Sequence, residues 1–158
     1  MESAGLGGRA GALPRANWCP HSQRLTGRGT SVAEDVIRTL VVEDDPALRG
    51  IYGDALRQSG YEVRVAADGR EALAIMDAGW TPSVAFFDLR MSGMDGWEFA
   101  RRVRADRRWA HVRLVVIAAH VRIDREAREI GAAAWLQKPF DLDRLDEQAR
   151  MSSVEASA

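Results

Sequence analysis

Four ionisable residues stand at the ends of apolar runs instead of within polar stretches. Asp88 closes "SVAFFD", Glu43 and Asp44 follow "IRTLVV", and Lys138 follows "AAWLQ" and precedes Pro139. Taken singly, each acid could be a helix cap or a solvated strand end. Gathered in one crevice, three carboxylates would repel one another and resist ionising unless a cation compensated them. Oxygen ligands with retained waters suit Mg²⁺ better than Zn²⁺. A lysine at the rim of such a site is placed to bind an anion that the metal also holds, and phosphate is the obvious one. The chemistry implied is a phosphoryl group beside Asp88.

Whether the four residues meet depends on the elements that carry them. "IRTLVV" (37–42) is a short β-rich apolar run that reads as a strand. Asp45 and Pro46 then read as an N-cap and first helical residue. Leu48, Ile51, Tyr52, Ala55 and Leu56 recur at helical spacing up to Gly60. "YEVRVA" is a second strand, and Asp68 caps a helix that ends at Gly79. "SVAFFD", a loop and a helix from about Gly96 come next, then "RLVVIAA" and a helix over about Ile123 to Ile130. "AAWLQ" and a last helix carrying Leu142 and Leu145 complete five βα units. Such alternation implies a parallel sheet with right-handed crossovers and helices on both faces. The crevice of such a sheet lies outside the carboxyl ends of its strands, where Glu43, Asp44, Asp88, Ala118 and Lys138 all fall.

The rest of the chain narrows the function classes. A length of 158 residues with 46% apolar and 28% charged residues suits one globular domain, and a net charge of −1 offers no field to draw nucleic acid or anionic lipid. No apolar run is long enough to span a bilayer. The single cysteine, Cys19, forms no internal disulfide, which fits a cytoplasmic setting. Residues 1–35 are expected to form a disordered extension, being rich in glycine and without apolar periodicity. "GLGGRA" matches a dinucleotide-binding pattern but follows no strand, and Cys19 with His21 is too small a set to hold a metal. Residues 152–158 are expected to be a flexible tail with no effector domain.

The segments "LVVEDDP", "FFDLRMSGMDGWEF", "VVIAAH" and "GAAAWLQKPF", in this order, resemble the motifs of a bacterial response-regulator receiver domain. The resemblance implies a stand-alone receiver over residues 36–151, similar to the single-domain chemotaxis regulators. It implies an α/β fold with a five-stranded parallel, doubly wound, flavodoxin-like sheet in the order 2-1-3-4-5. It further implies that Asp88 is the phosphoacceptor, that Lys138 contacts the phosphate, and that the Lys138–Pro139 bond is cis. Mg²⁺ would be held by Glu43, Asp44, Asp88 and the backbone carbonyl of Arg90. The donor would be a sensor histidine kinase or a histidine phosphotransfer protein, and the output would be contact with an unspecified protein target. Such a protein is a phosphoacceptor and not an enzyme in the ordinary sense.

Two residues depart from that pattern. Ala118 stands where the family has a switch hydroxyl, and Ser92 stands where its acceptor loop has proline; the serine should loosen the loop without removing a chemical group. Trp135 occupies the position of the switch aromatic, and Arg90 and His120 flank the expected path of the hydrolytic water. A haloacid-dehalogenase-type phosphatase would need a second aspartate where Arg90 stands. The remaining alternative is a pseudo-receiver, a binding module that is not switched by phosphorylation, for which Ala118 speaks and the intact acids and Lys138 do not. The arginines at 101, 102, 104, 107 and 108 read as a solvated helix face.

Overall fold

A computed structural model describes residues 36–120 and 122–156. The extension expected over residues 1–35, with Cys19 and His21, lies outside the described residues. Five strands, β1 (Arg38–Val42), β2 (Glu62–Ala66), β3 (Val84–Asp88), β4 (Arg113–Ala118) and β5 (Ala134–Gln137), alternate with five helices. The helices are α1 (Pro46–Gln58), α2 (Gly69–Asp77), α3 (Gly96–Ala105), α4 (Ile123–Glu129) and α5 (Asp143–Ala156), and a 3₁₀ turn covers Arg107–Trp109. All strand pairs are parallel, as the alternation implied, and the order is β2-β1-β3-β4-β5, as the family resemblance implied.

Local chemistry starts the helices where the sequence places them. The Asp45 carboxylate accepts from the N–H groups of Ala47 (2.8 Å) and Leu48 (3.2 Å), and Pro46 supplies a first helical residue that needs no partner for its nitrogen. Asp68 and Asp95 cap α2 and α3 by accepting from Glu71 and Glu98, each at 2.9 Å.

Strand alternation divides the core between the two faces. Leu40, Val42, Phe87, Leu114 and Val116 pack with residues of α2, α3 and α4 such as Met76, Phe99 and Ala127. Val41, Phe86, Val115 and Ile117 pack with Tyr52, Leu56, Leu145 and Ala149 of α1 and α5. The central strands β3 and β4 are buried along their whole length, which is why they read as unbroken apolar runs.

One expectation needs correction. The flexible tail expected from residue 152 is helical through Ala156. Ser152 is buried, its hydroxyl donating to the Ala149 carbonyl at 2.6 Å. Arg113, at the start of β4, pairs with Glu155 and donates to Gln148 Oε1 at 2.9 Å. The residues of this last turn show no periodicity because their partner is a side chain from another element.

Candidate functional site

The carboxyl ends of β1, β3 and β5 bring together the residues that the sequence scatters. Glu43 and Lys138 each lie two residues beyond a side chain, Val41 and Leu136, that packs on the α1 and α5 face, and Asp88 lies two beyond Phe86 on the same face. Continued alternation therefore points all three in one direction. Lys138 Nζ donates to Asp88 Oδ2 at 2.7 Å and to Glu43 Oε2 at 2.8 Å. The three side chains are 12%, 3% and 18% exposed for Asp88, Glu43 and Lys138, so this ion triad is closed to bulk water on most sides.

The remaining carboxylate oxygens are also engaged. Asp88 Oδ1 accepts the Arg90 N–H at 2.8 Å, and Glu43 Oε1 accepts the Asp45 N–H at 3.3 Å. Asp44 Oδ2 accepts from the Ser92 N–H at 3.1 Å and from the Ser92 hydroxyl at 3.4 Å. Arg49, which the sequence reading did not single out, donates through Nη1 to the carbonyls of Glu43 (2.7 Å) and Asp44 (3.3 Å). Its place one turn into α1 lets it fold back over the acid pair, but nothing in the apolar periodicity marks it. Gly96 is also part of the site: a Cβ there would collide with the Asp88 carbonyl oxygen and come within 2.8 Å of Leu89 Cα. Having no side chain, glycine adds nothing to an apolar periodicity, and that hid its role.

Electrostatics follow from burial and pairing. Burial pushes the Glu43 carboxyl above the usual carboxylate range, against the pull of Lys138. Burial works against the Lys138 ammonium as well, but hydrogen bonds to Asp88 and Glu43 outweigh it and hold the lysine protonated above its ordinary range. Asp44 is held below the usual range, chiefly by the Ser92 N–H.

The other expected residues are placed differently. Ala118 ends β4, 2% exposed and packed in the core, with its carbonyl accepting the Lys138 N–H at 2.8 Å. Trp135 is 41% exposed on the edge strand β5. Arg90 is exposed, whereas His120 is half-buried and paired with Glu126 of α4. The Lys138–Pro139 bond is cis. The arginines around α3 are largely paired: Arg101 and Arg102 with Glu98, and Arg108 with Asp106 and Asp77.

Glu43 is turned to Lys138, so among the described residues no three acidic, imidazole or thiol groups are gathered closely enough to hold a metal ion by themselves. The donor chemistry nevertheless fits a hard divalent cation. Three carboxylates stand at these strand ends and the single ammonium reaches two of them, every donor is oxygen, and a cation that retains waters needs only part of its shell from the protein.

A family model described as the response regulator receiver domain matches residues 39–150. The transcriptional regulatory protein TcrA of Mycobacterium tuberculosis is 39% identical over 118 residues, 74% of this chain and 46% of that protein. The chain thus spans about half the length of that relative. Sporulation initiation phosphotransferase F of Bacillus subtilis is 28% identical over 115 residues, 72% of this chain and 90% of that protein. Among solved structures, the chemotaxis protein CheY4 of Vibrio cholerae superposes with a TM-score of 0.68 at 30% identity, covering 74% of this chain and 98% of that one.

Proposed function

This chain belongs to the response regulator receiver family, and on that premise we propose that Asp88 is its phosphoacceptor. The observation that carries the reading is the bridge of Lys138 Nζ between Asp88 Oδ2 and Glu43 Oε2 at the strand ends. A carboxylate oxygen of Asp88 attacks the phosphorus of a phosphohistidine on a histidine kinase or phosphotransfer protein. The new O–P bond forms as the P–N bond breaks, and the departing imidazole nitrogen keeps the electron pair. Lys138, already 2.7 Å from the nucleophile, is in reach of a phosphoryl oxygen once the aspartate carries an acyl phosphate. The Arg90 N–H steadies the other carboxylate oxygen during attack.

Asp44, Asp88 and the backbone carbonyl of Arg90 would hold Mg²⁺, with Glu43 beside them. When bound, the cation supplies positive charge against the carboxylates and the incoming phosphoryl oxygens. Output runs through contact with a protein target, in a cytoplasmic setting. Among the described residues no helix is long and apolar enough to cross a membrane.

The test is incubation with acetyl phosphate and Mg²⁺, read by intact mass. Wild type should gain one phosphoryl mass, and Asp88→Asn or chelation of Mg²⁺ should abolish the gain. Equal labelling of wild type and Asp88→Asn would remove Asp88 from the mechanism.

A further inference from the structure

Ser92 was expected to loosen the acceptor loop and nothing more, yet it reaches across 48 residues of sequence to the Asp44 carboxylate. The contact is made mainly by its backbone N–H, at 3.1 Å, with the hydroxyl further off at 3.4 Å. Proline, which the resemblance places at this position in other receivers, has no N–H to offer. The loop that presents this amide is anchored on both sides of Ser92. Met91 and Met94 are buried, Gly93 between Ser92 and Met94 takes a left-handed conformation with φ at 81°, and the Met94 carbonyl accepts the Gly69 N–H at 3.1 Å. Asp44 is fixed from its other side, where Arg49 donates to its carbonyl.

We infer that Ser92 is a positioning residue that holds the Asp44 carboxylate in the crevice through its backbone N–H, tying the β3–α3 loop to the β1–α1 loop before any ligand arrives. The inference rests on the reading of Asp44 as a cation ligand. The bond engages Oδ2 and leaves the other carboxylate oxygen outside the contact, so the hold and cation binding are compatible. A side chain already oriented loses less freedom when a ligand binds, which raises affinity without any new contact with the ligand.

The test uses the full chain in two measurements. In EDTA, hydrogen exchange of the Ser92 amide should be at least about tenfold faster in Asp44→Ala than in wild type, because that residue is its acceptor. In calorimetric titration with Mg²⁺, Ser92→Pro should bind about tenfold more weakly than wild type, as loss of a hydrogen bond to a charged group predicts. Ser92→Ala keeps the N–H and should retain most of the affinity. Equal exchange in wild type and Asp44→Ala overturns the inference whether or not Ser92→Pro folds, and so does a folded Ser92→Pro that binds Mg²⁺ as tightly as wild type. A wild type that fails to bind Mg²⁺ while its Ser92 amide is protected by Asp44 would sink the phosphoacceptor reading and leave the tie between the loops standing.

Discussion

Asp88 and Lys138, 50 residues apart in sequence, are joined by a 2.7 Å ion pair at the mouth of the sheet, and the same ammonium reaches Glu43. The lysine supplies the only ammonium for two largely buried carboxylates, a duty it would share with a divalent cation once one is bound.

Lys138→Ala should therefore destabilise the metal-free protein. Removing one partner of a buried pair costs about 3 to 5 kcal/mol, and the partial exposure of this ammonium places the loss near the lower end. Mg²⁺ should restore part of the lost stability, because its charge replaces that of the ammonium. Urea unfolding of wild type and Lys138→Ala, each in EDTA and in Mg²⁺, checks this; a loss that Mg²⁺ leaves untouched would mean the lysine acts by packing alone.

Glu43 provides a pH test. Its folded carboxyl titrates above its unfolded value because it is buried, so the fold favours the neutral form. That preference contributes stability below the unfolded pKa, and the contribution is lost as pH rises through the folded value. Glu43→Gln, which stays neutral, should accordingly melt higher than wild type at pH 7 in EDTA, with the difference closing as pH falls through the folded value toward about 4.5. A difference that does not change with pH would show that Lys138 fully offsets the burial of Glu43.

Gly96 lies against the Asp88 backbone with no room for a Cβ: the Asp88 carbonyl oxygen blocks it, and Leu89 Cα and the Phe87 ring stand at 2.8 and 2.9 Å. Backbone cannot yield as a flexible side chain can. Gly96→Ala should cost roughly 1 to 3 kcal/mol, as overpacking does, and should slow labelling from acetyl phosphate by displacing Asp88. Thermal melts and labelling rates together check both effects.

Arg113 binds the last turn of α5 with a side chain that is only 5% exposed. Glu155→Ala leaves a buried guanidinium with Gln148 as its remaining oxygen partner, at a cost of about 1 to 3 kcal/mol. Replacing the arginine itself by leucine should cost less, because the carboxylate then left unpaired, Glu155, is 57% exposed to water, and no buried charge remains. Denaturant midpoints for the two variants give the comparison.

The strands and crossovers were readable because each buried strand is a continuous apolar run and α1, α2 and α3 each open on an aspartate cap. The strand-end acids and Lys138 stood out for the same reason, as charges where the pattern called for burial. What stayed hidden depends on contacts between distant segments. Ser92 looked like a lost proline, but its value lies in an amide that every residue except proline possesses. Arg49 and Arg113 occupy ordinary polar positions and act by folding onto another element. The last turn of α5 lacks a local signal because Arg113 supplies its anchor.

Ala118 permits the most direct test of how this receiver responds to a phosphoryl group. It ends β4 with 2% exposure, and on the proposed reading a hydroxyl at this position would donate to a phosphoryl oxygen, a bond to a charged group worth roughly 1.5 to 3 kcal/mol. A ligand shifts a two-state equilibrium only by its differential affinity for the states, so the loss of about 1.5 kcal/mol leaves the active population roughly tenfold smaller. Ala118→Ser adds the hydroxyl with least bulk and should bind beryllofluoride with Mg²⁺ about tenfold more tightly. Ala118→Thr adds a methyl into a packed core as well and should regain less. Trp135, 41% exposed on β5, is the reporter: its fluorescence change on binding the mimic should be larger in Ala118→Ser than in wild type. If the serine variant stays folded, binds the mimic no better and leaves Trp135 as responsive as before, the hydroxyl is not what this site lacks, and any switching must run through other contacts such as the His120–Glu126 pair.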